Sequence, residues 1–326
     1  MNDGMVAEDV PPPPRAPERS ALEAERRHLW GLCYRMTGSA SDADDLVQET
    51  FIRAMERPPA DATRPLRPWL VRVAVNLAKD HLRQRKRRGY DGIWLPTPIE
   101  SAEFEYATGK PEEEPEARYD AMESASFAFL VALEALSPKE RAVLLLRDAF
   151  DYSSGETSDA LQMSEENVRV TLHRARKAME TYDQGRARPS PERTRLSDEL
   201  LRNLLGKIAV QDFTGAAALF SERPVHMGDG GGVHHAGRKA VHGAEKISRM
   251  YGKLATKRSD QARFSIRQLS GMPALVTDDP GANKPNAPRA VLLLDMDAAG
   301  RIRAVYSVLA PAKLGRIQWP ARDASS

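Results

Sequence analysis

Two interruptions in an otherwise periodic pattern constrain this chain most. Apolar residues recur with helical spacing from about residue 20 to 88. Residues 89–120 then become rich in Gly, Pro and Glu, periodicity returns at about 121, and a second break runs from Gln184 to Arg195 through Pro189 and Pro191. Clusters of Pro and Gly end helices and mark loops. A chain of 326 residues suits two or three domains, each with its own core. The breaks give a plan: a disordered tail over 1–19, a helical unit over 20–89, a linker over 90–120, a second helical unit over 121–183, a linker over 184–195, a glycine- and strand-rich domain over 196–319, and a short tail over 320–326.

The start, MNDGMVAEDVPPPP, is acidic, lacks an apolar core and runs into prolines, which excludes a signal peptide there. No apolar run approaches the roughly 18 residues needed to cross a bilayer, so no membrane partner is expected. Cys33 is the single cysteine; it excludes an intrachain disulfide or a cysteine zinc site and fits a reducing, cytoplasmic setting.

The net charge of +2 announces no nucleic-acid partner; its distribution is more informative. Residues 64–88 carry Arg64, Arg67, Arg72, Lys79, Arg83, Arg85, Lys86, Arg87 and Arg88 against Asp80, whereas the preceding stretch holds Asp42, Asp44, Asp45, Glu49 and Glu56. Opposite charges on neighbouring segments point to different partners.

In the first unit Leu29, Leu32, Cys33 and Met36 form one helix stripe, and Gly38 ends that helix. Ser41 with Asp44 reads as the cap of a second helix that buries Ala43, Leu46, Val47, Thr50 and Ala54 and turns Asp45, Gln48 and Glu49 outward. A third helix, with Pro68 at its first position, buries Leu70, Val73, Ala74, Leu77 and His81 and presents Trp69, Arg72, Asn76, Lys79 and Arg83. In the second unit Ser137-Pro138-Lys139-Glu140 is a capping box ahead of apolar Ala142–Leu146. A short helix through Leu161, a Gln162-Met163 turn and a Ser164 cap then lead into a helix burying Val168, Leu172, Ala175 and Met179 and exposing Arg169, His173 and Arg174. That is helix-turn-helix spacing.

Tyr34-Arg35-Met36, Asp42 to Phe51, Pro68-Trp69-Leu70 and Val75 to Asp80 closely resemble region 2 of extracytoplasmic-function sigma factors. Ser137 to Arg141 and Arg169 to Arg176 resemble region 4, so the likeness covers roughly residues 20–182. It implies a factor that binds core RNA polymerase and directs recognition of the promoter −10 and −35 elements. By that resemblance Asp45, Gln48 and Glu49 meet the basic clamp helices of polymerase, although taken alone they suit a merely solvated helix face. Arg72, Lys79 and Arg83 would lie on −10 phosphates with Asn76 near bases, and Trp69 would stack or pack in the core. Arg169, His173, Arg174, Arg176 and Lys177 would serve the −35 element. Thr157, Ser158 and Gln162 stand where the family has an apolar residue, an alanine and a turn glycine.

Residues 196–319 begin with an amphipathic helix (Leu200, Leu201, Leu204, Leu205, Ile208). A stretch from Val225 to Val233, a helix near 243–254 and strands near 262–269, 289–297 and 302–309 follow, an α+β order that resembles the SnoaL or NTF2-like cone with its pocket. A subgroup of these sigma factors carries such a domain, with a tryptophan-leucine-proline signature matched by Trp94-Leu95-Pro96 and an aspartate-glycine signature matched by Asp229-Gly230-Gly231-Gly232. Its terminal signature, asparagine-proline-aspartate-lysine-leucine, appears as Ala310-Pro311-Ala312-Lys313-Leu314. These residues suggest a regulatory contact in cis, with plain linker packing of Trp94 compatible with it.

His226, Asp229, His234, His235 and His242 offer metal or acid–base chemistry. They lack ligand spacing, and adjacent His234 and His235 on a strand would face opposite ways, so pocket-lining or solvated histidines are expected. The fold class is therefore multidomain: two all-α sigma domains and an α+β NTF2-like cone. No catalytic residue, metal or cofactor is expected. Polymerase, promoter DNA and an unknown small pocket ligand are the expected partners. The rivals are a SnoaL-like enzyme fused to a DNA-binding module and a helix-turn-helix regulator that acts without polymerase.

Overall fold

The computed structural model describes residues 16–59, 61, 64–108, 122–185, 189–282 and 286–320. Most of the N-terminal tail, all but the first residue of the C-terminal tail and residues 109–120 of the linker lie outside the described residues.

Helix α1 (Arg19–Thr37) buries the stripe Leu29, Leu32, Cys33 and Met36 and stops at Gly38, whose left-handed φ of 68° lets its N–H reach the Tyr34 carbonyl at 2.7 Å. Helix α2 (Ala40–Glu56) is capped by Ser39 rather than Ser41: the Ser39 hydroxyl accepts from the Asp42 N–H. With only Gly38 and Ser39 between the two helices, the cap falls on the one whose side chain can supply an oxygen. Helix α3 (Leu66–Arg88) starts two residues before Pro68, still within the turn whose N–H groups need no intrahelical partner. Its buried residues are Leu70, Val71, Ala74, Val75, Ala78 and Leu82. Val73 and Leu77 are half-buried, and His81 turns to Asp42 at 3.1 Å. The stripe is broader than one periodicity because α3 is packed on two sides, by α1 and α2 and by the second helical unit.

Within the segment read as a linker, α4 (Ser101–Thr108) forms and packs on α1, and the second unit itself comprises α5 (Phe127–Leu133) and α6 (Pro138–Leu144), which continues as a π-helical turn through Leu145–Ala149. Helices α7 (Ser154–Leu161) and α8 (Glu165–Gly185) complete it. The Ser137/Glu140 capping box is present in both directions. One hydrophobic core runs through both units, from Leu29, Leu32 and Leu70 to Leu133, Val143, Val168 and Leu172. Trp69 is half-buried against it. Two buried arginines fasten the units together: Arg35 donates to Ser124, Gly31 and Ala107, and Arg141 donates to the Met36 carbonyl at 2.7 Å, to the Leu133 carbonyl and to Glu134.

The C-terminal part opens with α9 (Pro191–Ala209), capped by Ser190, so that helix begins inside the segment read as a linker. After α10 (Phe213–Ala217) come β1 (Phe220–Asp229), β2 (Val241–His242), α11 (Ala244–Ala255), β3 (Arg263–Leu269), β4 (Met272–Asp278), β5 (Arg289–Met296) and β6 (Ile302–Val308). The sheet order is β2-β1-β6-β5-β4-β3, with β1 and β6 parallel and every other pair antiparallel. This mixed sheet with its helices is the expected α+β cone. Because side chains alternate along a strand, the sheet has two apolar faces. Leu292, Leu294 and Val305 pack with Leu201, Leu204 and Ile247 of α9 and α11. Val291, Leu293, Tyr306 and Val308 pack instead on Leu95, Phe127 and Ala128 of the helical half. The C-terminal sheet is thus built into the same body as the sigma-like helices. Among the described residues, no helix is long and apolar enough to cross a membrane.

Candidate polymerase, promoter and interdomain sites

On α2, burial of Ala43, Leu46, Val47, Thr50 and Ala54 forces the intervening positions outward. Asp45 and Gln48 are exposed, and half-buried Glu49 pairs with Arg53 at 2.8 Å. Asp44, beside them, is occupied: it accepts the Trp30 indole N–H at 2.7 Å and an ion pair from Arg316, which also reaches Glu103 at 2.7 Å.

On α3, Arg72 and Asn76 are half-buried and Arg83 is exposed. The Lys79 ammonium donates to Asn76 Oδ1 at 3.0 Å, and Arg83 pairs with Asp80 at 2.7 Å. Burial, then the nearby Arg83, hold Lys79 below the ordinary lysine range. Lys79 and Arg83 do not face open solvent alone: across a cleft of about 280 Å³ they confront Lys139 of α6 and Leu161, Gln162, Met163 and Asn167 of the helix-turn-helix.

In that motif α7 ends at Gln162, which takes a left-handed φ of 52°, and the Ser164 hydroxyl caps α8 by accepting from Asn167 N–H at 3.2 Å. Ser158, at the position read as alanine in the family, donates to the Met163 carbonyl at 2.5 Å and so braces the turn. Thr157 is fully buried and its hydroxyl has no hydrogen-bond partner. Arg169, His173, Arg174, Arg176 and Lys177 are all exposed along α8. Arg176 makes a forked pair with Asp148, at 3.0 and 2.7 Å.

The three short signatures converge on one point. Asp229 is completely buried at the end of β1. One carboxylate oxygen accepts from the Tyr90 hydroxyl at 2.5 Å and the Gly231 N–H at 2.9 Å; the other accepts from the Leu95 N–H at 2.8 Å and Lys313 Nζ at 2.6 Å. Lys313 also donates to the Leu95 carbonyl. Its ammonium is drawn down to about 8, burial outweighing the attraction of Asp229. The Asp229 carbonyl in turn accepts from Leu309 and Ala310 N–H at 2.7 and 3.0 Å. Gly230 and Gly231 allow this approach: a Cβ on Gly230 would sit 2.0 Å from the His234 carbonyl oxygen, and one on Gly231 2.8 Å from Ala310 Cβ.

Trp94 carries the node onto the first helical unit. Its ring lies under the Arg85 guanidinium at 3.9 Å and the Lys313 ammonium at 4.0 Å, and it fills the space a side chain on Gly38 would need. Pro96 is buried beside it, and the Thr97 N–H reaches the Gly38 carbonyl at 2.8 Å. Arg85 extends the chain of contacts to Thr37 and Glu134. Arg85 lies in the basic run and Tyr90 at the start of the linker, and neither carries a motif of its own. Lys313 was visible as the lysine of the third signature, which keeps its polar contact although the two other polar members are replaced.

The histidines disperse. His234 and His235 lie in the turn after β1, which ends at Asp229, so strand alternation does not apply to them. His226 faces a cavity with His235, whereas His242 sits on β2 opposite Val225. Among the described residues no three His, Cys, Asp or Glu side chains gather as a metal site.

Comparison with known proteins adds identity to this geometry. Residues 21–88 match the model of Sigma-70 region 2, and residues 126–179 match that of Sigma-70, region 4. The ECF RNA polymerase sigma factor SigJ of Mycobacterium tuberculosis is 33% identical over 267 residues, which cover 81% of this chain and 80% of that protein. SigG of the same species is 35% identical over 221 residues, covering 62% of this chain and 59% of SigG. The crystal structure of SigJ superimposes with a TM-score of 0.70 at 26% identity, covering 93% of this chain and 100% of the other. A helical pair of sigma regions, an appended sheet domain and a likeness that runs through all three place the chain in the family of extracytoplasmic-function RNA polymerase sigma factors.

Proposed function

We propose that the chain binds core RNA polymerase, directs promoter recognition in the cytoplasm, and is governed in cis by its C-terminal domain. Asp45, Gln48 and Glu49 present the acidic surface for polymerase. Arg72, Asn76, Lys79 and Arg83 engage the −10 element, and Arg169, His173, Arg174, Arg176 and Lys177 the −35 element. Cations on phosphates supply salt-sensitive affinity, and side chains at base edges supply selectivity.

The observation that carries the regulatory part is the Asp229 node. The two promoter elements lie about 25 base pairs apart, about 85 Å at roughly 3.4 Å per base pair. Lys79 and Arg83 here face the helix-turn-helix across a narrow cleft, so the two reading surfaces must separate before both can be used. Besides the shared core and the buried Arg35 and Arg141, a chain of contacts ties the first helical unit through Arg85, Trp94 and Lys313 to Asp229 of the C-terminal domain, and Arg316 occupies Asp44 beside the proposed polymerase surface. The C-terminal domain is therefore positioned to set the balance between a closed arrangement and a promoter-ready one.

Run-off transcription with core polymerase, comparing the full chain, a truncation after residue 185 and Asp229→Ala, tests this. Promoter-dependent initiation that changes with either alteration is expected. Initiation unchanged in both across a range of salt would remove the regulatory role, and no initiation by the full chain on any promoter would remove the sigma-factor role.

A further inference from the structure

The sheet face turned away from the helical half closes, with α9 and α11, a cavity of about 980 Å³. This volume suits a drug-sized molecule. Its walls are apolar: Leu204 and Ile208 from α9, and Ile266, Leu275 and Leu292 from the sheet. Its floor is polar yet uncharged. His226 Nε2 lies 3.3 Å from Ser307 Oγ, which also meets the Tyr251 hydroxyl at 2.9 Å, and the imidazole and phenol rings stand edge to face at 5.5 Å. Burial pushes His226 down to about 4 and raises Tyr251, so all three groups are neutral near pH 7.

The mouth differs in kind. Phe264 and Leu254 line it with 53% and 40% of their surfaces exposed, an apolar lip on an otherwise polar exterior. Arg202 and Lys257 are exposed at the same cavity, while Arg258 is engaged by Asp279 and the Ala287 carbonyl. Among the described residues no aspartate or glutamate lines the cavity. Apolar walls favour an apolar body. A neutral buried floor rejects a charge but accepts a hydrogen-bonding group. Cations at a rim without carboxylates favour an anionic end left in water.

We propose that this cavity binds a hydrophobic carboxylic acid, its apolar body between the helices and the sheet and its carboxylate at the mouth beside Arg202 and Lys257. The site is also wired to the Asp229 node. His226 precedes Asp229 by three residues on β1, and Ser307 stands between Tyr306 and Val308, which pack on the helical half from the opposite sheet face. Occupancy would thereby shift the strands that hold the node. That consequence rests on the regulatory role proposed above; binding itself does not.

The test uses the full chain without polymerase, so its failure leaves the sigma-factor role untouched. The fluorescence of bound 8-anilinonaphthalene-1-sulfonate is followed as dodecanoate or dodecanol is added below the concentrations at which they form micelles. Dodecanoate is expected to displace the dye more strongly than dodecanol. Leu275→Trp, or Ile266→Trp should the first variant lose its circular dichroism, fills the cavity and abolishes displaceable binding. Arg202→Glu with Lys257→Glu weakens dodecanoate about fivefold, the reach of exposed ion pairs, and leaves dodecanol unchanged. No displacement by either compound, or wild-type displacement in a folded cavity-filled variant, would overturn the proposal. Equal affinity for acid and alcohol, unaltered by charge reversal, would overturn the assignment of an acid.

Discussion

Asp229 and Lys313 are both nearly withdrawn from water, and burial of one charge is tolerable only while the other is present. Lys313→Met leaves the carboxylate with Tyr90 and two backbone N–H donors but no cation, and is expected to cost about 3–5 kcal/mol in urea unfolding. Adding Asp229→Asn should restore much of that loss, whereas additive losses would mean that the ion pair is not what joins these segments. The turn of the helix-turn-helix makes a second prediction. Gln162 holds a left-handed φ that costs a side-chain-bearing residue about 1 kcal/mol or more, so Gln162→Gly should raise stability by about 1 kcal/mol, read as a higher denaturant midpoint. A third prediction concerns acid. Burial pushes His226 and His28 down to about 4, below the 6.5 of an unfolded chain. As pH falls from 6.5 towards 4 the unfolded chain takes up these protons first. Stability fully present above 6.5 is thus lost across that window. Thermal unfolding should show the fall, and His226→Gln should flatten part of it; an unchanged slope would contradict the burial of a neutral imidazole.

At the level of elements, the segment joining the helical units acts as a structural strip rather than a tether. Trp94 occupies the space beside Gly38, where a Cβ would lie 2.6 Å from the indole ring. Gly38→Ala must therefore strain a left-handed residue and displace Trp94 together. It is expected to destabilise the chain by about 1–3 kcal/mol and to raise protease sensitivity between α3 and α4; wild-type resistance would contradict the docking of the strip. The helices of both units were legible from apolar spacing and capping residues, because Ser137/Glu140 and the Leu29 to Met36 stripe act over a single turn or two. Their joint packing was not, because the second face of α3 is packed by α6 and α7, distant in the chain, and that packing rotated the expected stripe. Strand β4 went unseen although Ser270-Gly271 is a two-residue hairpin turn with φ of 48° and 72°. That turn is itself docked, since Ser270 exchanges hydrogen bonds with Ile99 and accepts from the Phe127 N–H. The candidate node was half legible: Trp94, Asp229 and Lys313 belong to recognisable signatures, but Tyr90 and Arg85 join them only through tertiary geometry.

For the whole molecule, one body holds the three surfaces proposed above, with the two helical units packed on one core. The acidic face of α2 stays exposed at Asp45 and Gln48, so on the proposed roles first contact with polymerase would need no rearrangement. Lys79 and Arg83 of α3 face the turn of the helix-turn-helix across the cleft while the α8 cations stay exposed, so on the proposed roles promoter binding would require the two units to part. Separating them would expose apolar surface shared by both units, a cost that polymerase and DNA would offset by holding the parts in new positions. The most direct measurement is the distance between fluorophores attached at Arg72 on α3 and His173 on α8, followed by energy transfer in the free chain and in the complex with core polymerase and promoter DNA. A short distance in the free chain that lengthens by tens of ångströms in the complex is predicted, with Asp229→Ala shifting the free chain toward the longer distance. A distance that stays the same in an initiation-competent complex, or a free chain already extended, would contradict the closed arrangement and the role given to the C-terminal domain.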